Sequence, residues 1–320
     1  MSTVVEPRLE PYPEYQRGVL LGAVAYGLWG VFPLFWTLLG SAGAVETLAH
    51  RMVWSLVVMV GVLWFLGRRR GTGFSTVRQV LANRRRLGLL SLATVLIALN
   101  WGGYIWGVNH GRVVETALGY FTGPLVAVLI GVLLLGERLR AWQWVAVALG
   151  VVAVVVLAIG YGEVPWLALL LAFSFSIYSL VKKLADVPAV ESVGIEAGLS
   201  FLPALAYISY LEISGSGTYF SLGVGHALLL MAGGVVSTLP LLAFGGAVVR
   251  IPLSMIGLLQ YLAPVLQFAF GVLVFHEAMP PERWLGFAIV WLGLVVLTVE
   301  GMRHARTSRT SAGTAPAQPL

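Results

Sequence analysis

The chain has 320 residues, of which 58% are hydrophobic and only 11% charged, with a mean hydropathy of +0.89. Soluble domains carry about 25% charged residues, so a soluble fold is excluded. The formal net charge is +6, but the cations fall between long apolar runs, where membrane orientation accounts for them, and no nucleic-acid partner is expected.

Residues 1–16 form a polar tail rich in Pro and Glu. Beyond it, the uncharged runs 18–45, 87–109, 141–162, 164–181 and 251–275 reach or approach the ~20 apolar residues that cross a bilayer as a helix. Lipid offers no partner for backbone N–H and C=O, so these runs are read as helices; the ten-residue alternating segments of a membrane barrel are absent. The first run is too long for a signal-peptide core and lacks an A-x-A cleavage pattern, so it stays as the first span. Ten spans are predicted at 17–39, 46–66, 87–109, 113–135, 140–160, 165–183, 190–211, 226–249, 252–275 and 281–300. Residues 301–320, rich in Ser, Thr, Ala and Pro with Arg303, Arg306 and Arg309, are expected to be a disordered tail.

Lys and Arg set the orientation. With a cytoplasmic N-terminus, the inner segments hold Arg8, Arg17, the seven arginines of 68–86, Arg138, Arg140, Lys182, Lys183, Arg250 and the three tail arginines. That is 17 of the 20 cations; Arg51, Arg112 and Arg283 remain outside. The split follows the positive-inside rule, with both termini cytoplasmic and the chain in the cell (inner) membrane.

An internal repeat divides the chain. Residues 118–157 reappear 140 positions later without a gap: Leu118 matches Leu258, Pro124 matches Pro264, Glu137 matches Glu277 and Trp144 matches Trp284. Each copy sits in a block of five spans, 17–160 and 165–300, so the second block enters the membrane inverted relative to the first. The expected fold is an all-α polytopic membrane protein of ten transmembrane helices in two inverted five-helix repeats. Secondary transporters are built this way, with the solute site near the midplane between the halves.

Ionisable and amide groups inside spans are expensive, so each raises a functional reading. Glu46, His50 and Arg51 open the second span, and Glu115 opens the fourth near the same outer surface. They are read as an outer gate, a proton-responsive cluster or an anchor for a charged substrate, or else as a structural ion-pair network near the headgroups or side chains that snorkel outward. Glu196 of the seventh span lies about 10 Å below the inner surface and joins the coupling candidates.

In the third span Asn100 is about 20 Å deep, flanked by Trp101 and Tyr104. A buried amide there either lines a solute cavity or clasps neighbouring helices. Tyr26 and Trp29 of the first span, Tyr120 of the fourth, Tyr178 of the sixth and Gln260 and Tyr261 of the ninth complete the candidate lining. The expected walls are the first, third, fourth, sixth, eighth and ninth spans. Pro124, Pro240 and Pro264 are candidate hinges, because an interior proline removes one backbone donor. Glu137 and Glu277 read as end-of-helix structural residues.

The chain has no cysteine, its five histidines are scattered without an HExxH pair, and no metal or cofactor is expected. It has no GxxxxGK[ST] loop, Ser/His/Asp arrangement or paired mid-membrane Asp, so neither ATP coupling nor an enzyme is expected.

Taken together, Trp29-Gly30, Glu46 with Ala49-His50-Arg51, Asn100-Trp101, Glu115 with Leu118-Gly119-Tyr120-Phe121 and Pro124, Phe173-Ser174-Phe175 with Tyr178, Ile195-Glu196, Pro240-Leu241-Leu242 and Gln260-Tyr261 with Pro264 are distinctive. In these residues the chain resembles the RarD family of EamA-type proteins in the drug/metabolite transporter superfamily, over essentially all of 17–300. It departs from its own first half where His276-Glu277 stands in place of Gly136-Glu137. The resemblance implies export of small organic metabolites or drugs across the inner membrane. The rival readings are a non-transporting membrane sensor or scaffold, which would lack a soluble output domain here, and an intramembrane lipid enzyme, which would lack a nucleophile.

Overall fold

The computed structural model describes residues 12–70, 74–135, 141–248, 250–251, 255–256 and 259–313. The described secondary structure is all helical: α1 (Tyr12–Trp36), α2 (Gly43–Arg70), α3 (Ser75–Ala82), α4 (Arg84–Asn109), α5 (Val113–Leu135), α6 (Ala141–Tyr161), α7 (Trp166–Ala185), α8 (Ala189–Ser214), α9 (Gly223–Val248), α10 (Leu262–Leu273) and α11 (Pro281–Gly313). A 3-10 turn, Thr37–Ala42, joins α1 to α2. Seven helical stretches among the described residues are long and apolar enough to cross a membrane; the first, Glu14–Arg69, is α1 and α2 together, and α7 and α10 are shorter apolar helices. The chain is a multi-pass membrane protein.

Local chemistry sets the helix ends. Asn83 caps α4 by accepting the Arg86 amide at 3.1 Å, Pro165 and Pro188 precede α7 and α8, and α8 stops at Gly215, whose φ of 73° no β-carbon hinders. The helices are apolar on both their inner and outer faces. Leu20, Ile159 and Leu202 are 64–72% exposed, as lipid-facing residues should be, while Trp36, Leu118, Leu171 and Phe287 are buried.

The tightest helix contacts run through small residues. A β-carbon on Gly234 of α9 would stand 2.5 Å from the Trp54 carbonyl carbon of α2, and one on Gly119 of α5 would stand 2.9 Å from the Ala168 carbonyl oxygen of α7.

Three expectations change. The ninth span is not described as one helix over 252–275: α10 begins at Leu262, after turn residues Gln260 and Tyr261. Pro264 therefore falls in the first turn of α10, where the amide has no intrahelical partner to lose, and it does not interrupt a helix. Pro124 and Pro240, by contrast, are interior to α5 and α9. At the C-terminus α11 continues to Gly313, past the expected end at 300. At the N-terminus α1 starts at Tyr12, five residues ahead of the expected 17. Glu137, Arg138, Arg140, Arg8 and the extremities 1–11 and 314–320 lie outside the described residues.

Candidate substrate cavity

The bundle holds a partly open cavity of about 1240 Å³, large enough for a drug-sized solute. All nine proposed lining residues, Tyr26, Trp29, Asn100, Trp101, Tyr104, Tyr120, Tyr178, Gln260 and Tyr261, stand at its wall. So do Trp36, Lys182 and Gln267, which sequence reasoning did not place there, and Arg51, read from the sequence as one of an outer group that could anchor a charged substrate. The walls are wider than expected, because α2 adds Arg51 and Met59, α6 adds Gln143, α8 adds Val190 and Val193, and α11 adds Thr298.

Two aromatic chains form much of the lining. On one side Tyr26 and Trp29 pack edge to face at 5.2 Å, and both meet Phe244 of α9 at about 6 Å. On the other, Tyr104, Tyr120, Phe175 and Tyr178 follow one another at 5.8–6.3 Å. Their helical spacing in the sequence turns these rings to one face of each helix.

Asn100 combines both readings left open above. It lies at the cavity wall and is fully buried, yet its amide is already engaged. Nδ2 donates to the Leu171 carbonyl and Ser174 Oγ, both at 2.9 Å, and Oδ1 accepts from the Tyr120 hydroxyl at 3.2 Å. With both donors and the acceptor used on α7 and α5, Asn100 clasps three helices and has little left for a solute.

The outer charged residues do not form one cluster. Glu46 accepts from the Thr218 amide at 2.7 Å and its hydroxyl at 2.9 Å, beyond the end of α8. His50 stacks on Tyr219 with ring centroids 4.9 Å apart. Glu115, fully buried, pairs with Arg112 at 2.6 Å and accepts from the Leu167 and Ala168 amides at the start of α7, at 3.1 and 3.4 Å. Arg51 turns inward to the cavity. Glu46 and His50 both turn to the 218–219 loop between α8 and α9, whereas Glu115 meets Arg112 and the start of α7 and Arg51 meets Ser237 of α9. Glu196 forms an ion pair with Lys182 and accepts from Tyr178 at 3.1 Å and Ser192 at 3.0 Å.

Glu277 was missed as a long-range contact. It lies in the turn between α10 and α11 and accepts from the Val113 and Val114 amides, the latter at 3.0 Å, so it caps α5 from the far half of the chain. Burial pushes its carboxyl up to about 7, against the lowering effect of those two amides. Among the described residues no group of three His, Cys, Asp or Glu is placed to hold a metal.

Comparison with known proteins places this architecture. The EamA-like transporter family matches residues 16–159. Protein RarD of Streptomyces exfoliatus is 57% identical over 296 residues, covering 92% of each chain. The uncharacterized transporter YojE of Bacillus subtilis is 39% identical over 93% of this chain and 99% of its own, and the chloramphenicol-sensitive protein RarD of Pseudomonas aeruginosa is 31% identical over 91% and 96%. A solved crystal structure shares the fold at a TM-score of 0.56, with 21% identity over 88% of this chain and 97% of that one. With relatives this similar along nine-tenths of its length, the chain belongs to the RarD family of EamA-like transporters and is a membrane transporter of the drug/metabolite superfamily.

Proposed function

We propose that the protein moves small organic solutes across the cell membrane by alternating access, in the direction of export, through the cavity between two inverted five-helix repeats. The observation that carries this reading is the 1240 Å³ aromatic cavity, whose wall draws on both halves of the chain. Helix neighbours also exchange between the halves: α4 packs on α7 as α9 packs on α1, and α5 on α7 as α10 on α1. A further correspondence supports equivalence of α2 and α8, since Glu46-Thr47, Arg51 and Ser55 have counterparts in Glu191-Ser192, Glu196 and Ser200. The interior prolines Pro124 and Pro240 serve as flex points, with the Gln260–Tyr261 turn in place of Pro264. The inner-side pair Lys182–Glu196 acts as a gate, because opening there would wet both charges.

Purified protein in liposomes, screened by counterflow against amino acids, nucleosides and phenicols, tests the transport reading; fluxes equal to those of protein-free liposomes for every solute would overturn it. The cation split supports cytoplasmic termini and a cytoplasmic 68–86 segment. The chain is free of cysteine, so a single Ser75→Cys is a clean probe, and its labelling by an impermeant reagent in intact cells would reverse that orientation.

A further inference from the structure

Arg51 is 3% exposed, yet among the described residues its charge has no counterion. Nε donates to Ser237 Oγ at 2.5 Å, and the guanidinium lies over the Trp101 ring with Cζ 3.0 Å from the centroid. No carboxylate lies within 4 Å of it among the described residues. The three buried carboxylates are committed elsewhere: Glu46 to Thr218, Glu115 to Arg112 and α7, and Glu196 to Lys182 and Tyr178. Beyond the Nε–H given to Ser237 the guanidinium has four further N–H donors, and the side chain lines the cavity.

Two buried donors at the same cavity lack an acceptor among the described residues. Trp36 Nε1 and the Tyr104 hydroxyl are both without a hydrogen-bond partner, and both side chains line the wall. They pack in one cluster, and Arg51 Cζ is 5.9 Å from the Trp36 ring. Against these donors the cavity holds one orphaned acceptor, Gln267 Oε1. Buried polar groups left unpaired in a folded chain call for an explanation, and here two unpaired donors and an uncompensated positive charge line the same cavity.

We infer that Arg51, Trp36 and Tyr104 form the binding site for the carboxylate of an amphipathic organic monoanion, whose apolar body lies against the Tyr26, Trp29 and Tyr120 rings. One guanidinium balances one charge, and its planar fork fits a carboxylate. This substrate class rests on the transport reading above and narrows it.

The test uses one skeleton in three charge states: N-acetylphenylalanine, its neutral primary amide, and cationic phenylalaninamide. Binding to purified protein is measured by calorimetry and flux by counterflow in proteoliposomes. Wild type should bind the carboxylate at least tenfold more tightly than the amide, and the cation more weakly than either. In Arg51→Gln that carboxylate-over-amide ratio should fall below about threefold. Tyr104→Phe removes a hydroxyl that makes no bond in the protein, so it should fold normally and still lower the ratio by about threefold. A wild type that prefers the amide or the cation overturns the inference, as does a ratio unchanged in Tyr104→Phe and Arg51→Gln. Flux of neutral or cationic solutes with none of the carboxylate would defeat the anion site and leave transport standing. Carboxylate-selective binding without flux of any solute would do the reverse.

Discussion

The Glu115 carboxylate ends on the Leu167 amide, 3.1 Å away and 52 residues along the chain. One fully buried side chain of α5 thereby caps α7 and pairs with the partly exposed Arg112. Glu115→Ala strands two amides and removes one of the two carboxylates on Arg112. We expect a loss of about 2–3 kcal/mol. Glu115→Gln keeps an acceptor oxygen for the amides and should lose about 1 kcal/mol. Thermal unfolding in detergent, followed by size-exclusion chromatography, ranks the two; equal melting points for wild type and Glu115→Ala would reject the cap.

Asn100 and Tyr104 separate structural from solute-facing polarity on the same helix. Asn100→Ala leaves the Leu171 carbonyl, Ser174 and Tyr120 without their partner, so stability should fall by about 2–3 kcal/mol and membrane abundance with it. Tyr104→Phe loses no bond within the protein and should leave the melting temperature unchanged or slightly raised. Abundance measured by a C-terminal fluorescent fusion gives the comparison, and normal abundance of Asn100→Ala would dismiss the clasp.

Gly234 fixes how closely α2 and α9 approach. Its added β-carbon in Gly234→Ala would lie 2.5 Å from both the carbonyl carbon and the Cβ of Trp54, and backbone cannot swing aside as a flexible side chain can. We expect about 1–3 kcal/mol of destabilisation. Gly27→Ala, where nothing lies within 4 Å of the new atom, is the matched control. Equal melting temperatures for the two variants would show that the contact yields.

The raised carboxyl of Glu277 links stability to pH. Its folded value of about 7 lies above the ordinary 4.5, so between those values the folded chain holds a proton that the unfolded chain releases. Stability from this group is therefore complete below pH 4.5 and is lost as pH rises through about 7. The upper limit of the effect is about 3 kcal/mol, less solvent screening at a half-buried turn. Glu277→Gln, always neutral, should flatten the melting-temperature profile across that window. A variant profile that parallels wild type would assign the pH dependence to other groups.

The sequence shows most of the architecture where its signals are local. Apolar run length marks the spans, and aromatic residues at helical spacing, such as Tyr26 with Trp29 and Trp101 with Tyr104, face one cavity because a helix repeats every 3.6 residues. Partners distant in sequence leave no such trace. Nothing around Glu46 points to Thr218, and nothing around Arg51 says that it turns inward while its neighbour His50 stacks on Tyr219. The expected outer cluster dissolved for that reason. The start of α10 was hidden by proline, which marks an interior kink and a first helical turn equally well. The short helix α3 carried a readable signal, Val77, Val80 and Leu81 at helical spacing between arginines, and Val80 is buried against Leu90 and Ile195.

Glu115 and Glu277 both close the bundle by gripping backbone amides, at the starts of α7 and α5. A contact made to main chain has only one partner that mutation can reach. Leu167, Ala168, Val113 and Val114 are free to drift among residues of suitable size without releasing the grip, while the glutamates are not. Paired substitutions, the usual statistical trace of two residues in contact, should therefore be missing at these four joints. Attempts to infer the fold from correlated change among relatives would register the side-chain packing around them and overlook the joints themselves.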